Sequence, residues 1–150
     1  MLQQLKNNKF EIKEQEINAK FGNYLILASK KLNFYKETFY LFFNEKKELI
    51  YFEIDFDLND LQSRSELEKL YLSIVPKLIE KYGESENDNF PYFKNFENKY
   101  QIILHPLFPG NNKIKITYKF IEKYEEFLEF YKKTTQKDLD NEINSIINNF

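Results

Sequence analysis

The clearest pattern in the chain lies at positions 49–57. Ile50, Phe52, Ile54 and Phe56 alternate with Tyr51, Glu53, Asp55 and Asp57. A period of two puts apolar side chains on one face of a strand and polar ones on the other, as in an antiparallel sheet with one buried face. Upstream, 24–28 and 38–43 read as strands, and the polar run Asn44-Glu45-Lys46-Lys47 reads as a hairpin turn. The opening of the chain allows two readings. Phe10 and Ile12 alternate, whereas Ile17 and Phe21 are spaced for one helical face, and Gly22-Asn23 ends any helix there.

From 64 to 82 the period becomes helical. Leu67, Leu70, Tyr71, Ile74, Leu78 and Tyr82 form one apolar stripe, expected to pack on the Ile50, Phe52, Ile54, Phe56 face. Ser63 stands at the N-cap with Glu66 three residues on, and Gly83 stands just past the end. Pro76 has no N–H for the Leu72 carbonyl, which predicts a kink or a split helix. A polar and aromatic connection follows over 84–99. Segments 100–104 and 113–119 then form a hairpin whose loop carries Pro109-Gly110, a type II turn signal.

The tail has two helical stripes. Phe120, Tyr124, Phe127, Leu128 and Tyr131 make the first, and Leu139, Ile143, Ile146, Ile147 and Phe150 the second. Thr134-Thr135 separates them, and Thr135 with Asp138 resembles a new cap. Both helices are expected to pack on their own sheet, with a dimer seam or partner groove as the other use. The order strands, helix, strands, helices predicts an α+β fold. An antiparallel sheet, a meander plus a C-terminal hairpin, is packed by a central amphipathic helix with C-terminal helices, all in a single domain over 1–150.

Composition narrows the function. The 150 residues include no cysteine, which excludes a disulfide framework and a thiolate metal site. The first nine residues have no apolar core of a secretory signal, and no apolar run is long enough to cross a bilayer. The expected location is cytoplasmic, with no membrane partner. The 22 basic and 24 acidic side chains argue against a dedicated nucleic-acid binder, and the acidic excess is too weak for a DNA mimic. The chain has one arginine, Arg64, against 21 lysines, and is rich in Asn, Ile, Phe and Tyr. These preferred residues have AT-rich codons. A biased genome, of the kind found in many bacteria and phages, accounts for the 18% aromatic content without invoking ligand stacking.

Little catalytic chemistry is legible. His105 is the only histidine, so no His-rich metal site can be built, and it reads as a turn histidine before Pro106. Three glycines cannot make a phosphate-cradling loop. Asp55, Asp57, Asn59 and Glu66 match most of a calcium loop, but Asp60 stands where that loop needs Gly and a strand precedes it. The run 90–100 mixes aromatics with lysine and asparagine, which suits core or edge-strand packing better than a single-stranded nucleic-acid platform.

What remains is a non-enzymatic, protein-binding inhibitor or antagonist, of the toxin-immunity or phage anti-defence type. Tyr51, Glu53, Asp55, Asp57 and Asp60 are its expected partner-binding face, and a protein with a basic surface is its complement. No cofactor and no metal are expected. The alternative is a metal- or ligand-binding domain that uses the Asp55, Asp57 and Asp60 carboxylates.

Overall fold

The computed structural model describes residues 2–18, 23–32, 35–58 and 64–149. Its elements are α1 (Leu2–Asn7), β1 (Glu11–Asn18), β2 (Asn23–Lys31), β3 (Tyr35–Phe43), β4 (Leu49–Leu58), α2 (Arg64–Tyr82), β5 (Tyr92–Phe96), β6 (Tyr100–Leu104), β7 (Lys113–Phe120) and α3 (Ile121–Asn148). The seven strands form one sheet in the order β1-β2-β3-β4-β7-β6-β5. Every neighbouring pair is antiparallel. This is the expected α+β arrangement. The ambiguous opening resolves as strand β1, pairing Ile12 with Ala28.

The alternation in β4 decides the layering. Ile54, Phe56 and Leu58 pack with Leu67 and Leu78 of α2 and with Ile114, Ile116 and Leu104 of the later strands. Phe52, on the same face, belongs to a second cluster in which Leu5 of α1 covers Ile26, Ala28 and Leu41. Two helices therefore share one face of the sheet. After β4 the chain crosses that face as α2, reaches the far edge at β5, and works back through β6 to pair β7 with β4.

Local chemistry sets the turns. Asn44 Oδ1 accepts the backbone N–H groups of Lys46 and Glu48, closing the β3–β4 turn. Gly110 has φ +80°, and the N–H of Asn111 donates to the Phe108 carbonyl, as the Pro-Gly signal requires. Gly83 ends α2 at φ +91°. Arg64 donates to the carbonyls of Phe108 and Asn111, so the one arginine clamps the β6–β7 loop to the start of α2.

Three expectations change. The 84–99 connection contains strand β5, an edge strand, which turns into β6 through Glu97 and Asn98, both at positive φ. Of the kink or split expected at Pro76, the split does not occur, since α2 runs through that residue. Both Pro76 and Leu72 are exposed on that side, so water can serve the orphaned carbonyl. The tail is one helix, not two. Thr135 Oγ1 donates to the Tyr131 carbonyl 2.8 Å away, a bond made inside a helix rather than at a cap. Nor does the second stripe pack on the sheet, because α3 has no buried residue. Ser63, the expected N-cap, lies outside the described residues.

Candidate functional site

The second face of the sheet carries the predicted site residues. Strand pleating puts Tyr51, Glu53, Asp55 and Asp57 on the side away from α1 and α2. Asp60 lies outside the described residues. On one side of β4 their cross-strand partners are Phe42, Tyr40, Thr38 and Lys36 of β3. On the other they are Lys119, Thr117, Lys115 and Lys113 of β7. Helix α3 reaches this face at the Tyr51 end, and Phe90 of the 84–91 connection reaches it at the far edge, against Phe93 and His105.

That neighbourhood changes the character of the face. Lys113 Nζ lies 3.3 Å from Asp55 Oδ2 and 4.0 Å from Asp57 Oδ1, and Lys115 Nζ lies 3.1 Å from Glu53 Oε2. The line of carboxylates is therefore not an isolated acidic strip. It is one half of a mosaic in which β7 supplies lysine opposite acid. The lysines belong to a strand some 60 positions away in sequence, so β4 alone could not reveal them.

Asp55 is the inner member. Only 2% of the residue is exposed, and Oδ1 has no hydrogen-bond partner. Burial pushes its carboxyl above the usual range, against the pull of Lys115 and Lys113. Lys113, more exposed, is raised as well, but for a different reason. Burial alone would lower it, but Asp55 and Asp57 together hold it above the ordinary lysine value. The pair thus favours charge on the lysine more than on the carboxylate.

Tyr51 is not a free aromatic anchor. Its ring stacks on Phe42 at 4.2 Å and meets Tyr124 of α3 edge-on at 5.6 Å. Lys119 Nζ sits 4.4 Å from the centre of the Tyr124 ring. Burial and the nearby Glu53 push the Tyr51 phenol well up, so it stays a neutral hydroxyl.

His105 joins the same face from the end of β6. Its Nε2 lies 2.7 Å from Thr117 Oγ1, and Thr117 is the cross-strand partner of Glu53. Burial, then Lys115, holds the imidazole below its ordinary range. A neutral imidazole against a hydroxyl has the outline of a base and a nucleophile. However, Thr117 sits in β7 between β4 and β6, and its backbone neighbours are committed to the ladders. That leaves no set of free N–H donors to hold an oxyanion there. Thr117 and Lys115 went unseen as site residues because their partners lie on other strands.

Of the residues in the calcium-loop reading, Asn59 and Asp60 lie outside the described residues, and the others are otherwise engaged. Asp55 and Asp57 are strand residues facing Lys113, and Glu66 pairs with Lys69 on α2. Among the described residues no three His, Asp or Glu side chains are grouped to hold a metal ion. In the 90–100 run the aromatics stack on one another, Phe90 with Phe93 and Phe96 with Tyr100, while Lys94 pairs with Glu86.

No helix of the described residues is long and apolar enough to cross a membrane. Compared with known proteins, the chain matches no family model, no curated protein and no solved structure.

Proposed function

We propose that this protein works by binding another protein and blocking it, as a non-enzymatic inhibitor or antagonist of the toxin-immunity or phage anti-defence type. The observation that carries the reading is the ion-paired mosaic on the second sheet face. Glu53 and Asp57 lie among Lys113 and Lys115, flanked by Tyr40 and Phe42, with the buried Asp55 holding Lys113 in place rather than facing a partner, and no described helix lies over its middle. Charges held by neighbours on a rigid sheet are preorganised. They select a partner and its orientation at little cost in side-chain freedom. Because acid alternates with lysine, the complement is a surface of both signs rather than a uniformly basic one.

The test uses a charge swap. Affinity capture from the source cells should retain a partner on the unmodified protein. That partner should be lost from a variant carrying Glu53→Lys with Lys115→Glu. This variant keeps the internal pair, and so the fold, while inverting the pattern presented. A partner retained at every salt concentration by the folded variant would exclude this face.

The alternative is a divalent cation or ligand on Asp55, Asp57 and Asp60, for which the unpartnered Asp55 Oδ1 speaks. There a cation must displace Lys113. Calorimetric titration with Ca²⁺, Mg²⁺ and Mn²⁺ separates the readings, since heat of binding that vanishes in Asp57→Asn belongs only to the second.

A further inference from the structure

We propose that α3 pairs with a second copy of itself, antiparallel, about a two-fold axis near Lys137. The two stripes expected of separate helices are one stripe, because the helix is continuous. The stripe is mirror-symmetric in sequence. About position 137, Phe127 reflects onto Ile147, Leu128 onto Ile146, Tyr131 onto Ile143, and Thr135 onto Leu139. Positions 128, 131, 135, 139, 143 and 146 recur at intervals of three and four, so they share one side of the helix, with Phe127 and Ile147 at its two margins. A two-fold interface requires that if residue i meets j, then j meets i. A largely apolar pattern that reads the same from both ends satisfies this, with Thr135 opposite Leu139 as its one polar member.

Exposure and charge agree with the symmetry. Leu139, Ile143, Ile146 and Ile147 are 49%, 45%, 57% and 62% exposed, and Tyr131 is 45% exposed. At the other end of the stripe, Phe127 and Leu128 remain partly exposed, while Tyr124 lies against Tyr51. Thr135 bonds back to the Tyr131 carbonyl, so its hydroxyl is satisfied within its own helix. In the antiparallel register Lys132 reflects onto position 142, beside Asp140 and Glu142 of the second copy. A parallel pair would set Lys132 against Lys132 and Glu142 against Glu142. The 28-residue helix is roughly 40 Å long at about 1.5 Å per residue. Contact along most of it from both copies is of the size of a specific interface, roughly 1,200–2,000 Å² in total. The arrangement puts the two sheets at opposite ends of the helix pair and leaves their second faces open.

The test is the mass of the full chain by sedimentation equilibrium across a concentration series. The expected result is a species of twice the 18.4 kDa chain mass. It should revert to the single-chain mass in the variant Ile143→Lys with Ile146→Lys. Both positions are exposed and the new lysines have Asp140 and Glu142 for company, so circular dichroism should be unchanged. The register is read by disulfide cross-linking, which is clean in a cysteine-free chain. A Tyr131→Cys chain should cross-link to an Ile143→Cys chain, and neither to itself. Monomer at all concentrations, a dimer that survives the double lysine change, or a cross-link between two Ile143→Cys chains would each overturn the proposal. The Glu53→Lys with Lys115→Glu variant should keep the dimer mass, so failure on the sheet face and failure on α3 are separable.

Discussion

Asp55 holds one carboxylate oxygen against Lys113 and leaves the other without a partner. Its neighbour in the mosaic, His105, is held neutral by burial. The two respond to pH with opposite sign. Asp55 is raised, so the folded state prefers its protonated form. Its favourable contribution is complete below the ordinary 3.8 and is lost as pH rises through the raised value. His105 is lowered, so its contribution is complete above the ordinary 6.5 and is lost as pH falls through the depressed value. Resistance of the intact protein to urea should therefore weaken as pH falls below 6.5. His105→Gln, which can still bond Thr117, should flatten that part of the profile. Identical slopes in the two proteins would show that His105 is not the titrating group. The place of His105 at a strand end, just past β6, was legible from the sequence. Its bond to Thr117 was not, because twelve residues and a strand turn separate the two.

At the level of elements, burial follows the periodicity in α2 but not in β4, where Asp55 on the polar face is buried, nor in α3, whose stripe is left open. Leu67 is fully buried in the stripe of α2, against Ile114, Ile116 and Leu104. Leu67→Ala should cost about 2–5 kcal/mol by denaturant titration, the usual result of a cavity that its surroundings only partly fill. A cost under about 1 kcal/mol would mean that α2 is not seated as described. Pro76 and Thr134-Thr135 are local signals that oppose a helix, yet α2 and α3 run through them unbroken. Pro76 falls on the wet side of α2, where its lost bond is cheap. Thr135 satisfies its hydroxyl on the turn before it. Strand β5 was hidden because its hairpin turn uses Glu97 and Asn98 at positive φ rather than a glycine. Asn95 supports that turn by accepting the Asn98 N–H and donating to the Asn98 side chain.

For the whole molecule, β4 is the joint. Phe52 belongs to the cluster under α1, while Ile54 and Phe56 belong to the cluster under α2. The two clusters are stitched by backbone ladders on both sides of one strand. Unfolding in urea should accordingly be one transition, with fluorescence and circular dichroism coinciding. Separate transitions for the β1–β3 and β5–β7 sides would show that β4 does not couple them. By itself the sequence determined the fold class, the strands β2, β3 and β4 of the meander, the span of α2 and which face of β4 is apolar. Each of these depends on neighbours within a few residues, through side-chain period, caps and turns. Only the tertiary structure decided the rest: that β7 lies beside β4 and turns a row of carboxylates into an ion-paired mosaic, that Tyr51 lies under Tyr124, and that α3 carries its stripe past the sheet uncovered. The physical reason is one of range. Hydrophobic period is a local property of the chain, whereas the electrostatics and exposure of a face depend on which distant strands and helices come to rest on it.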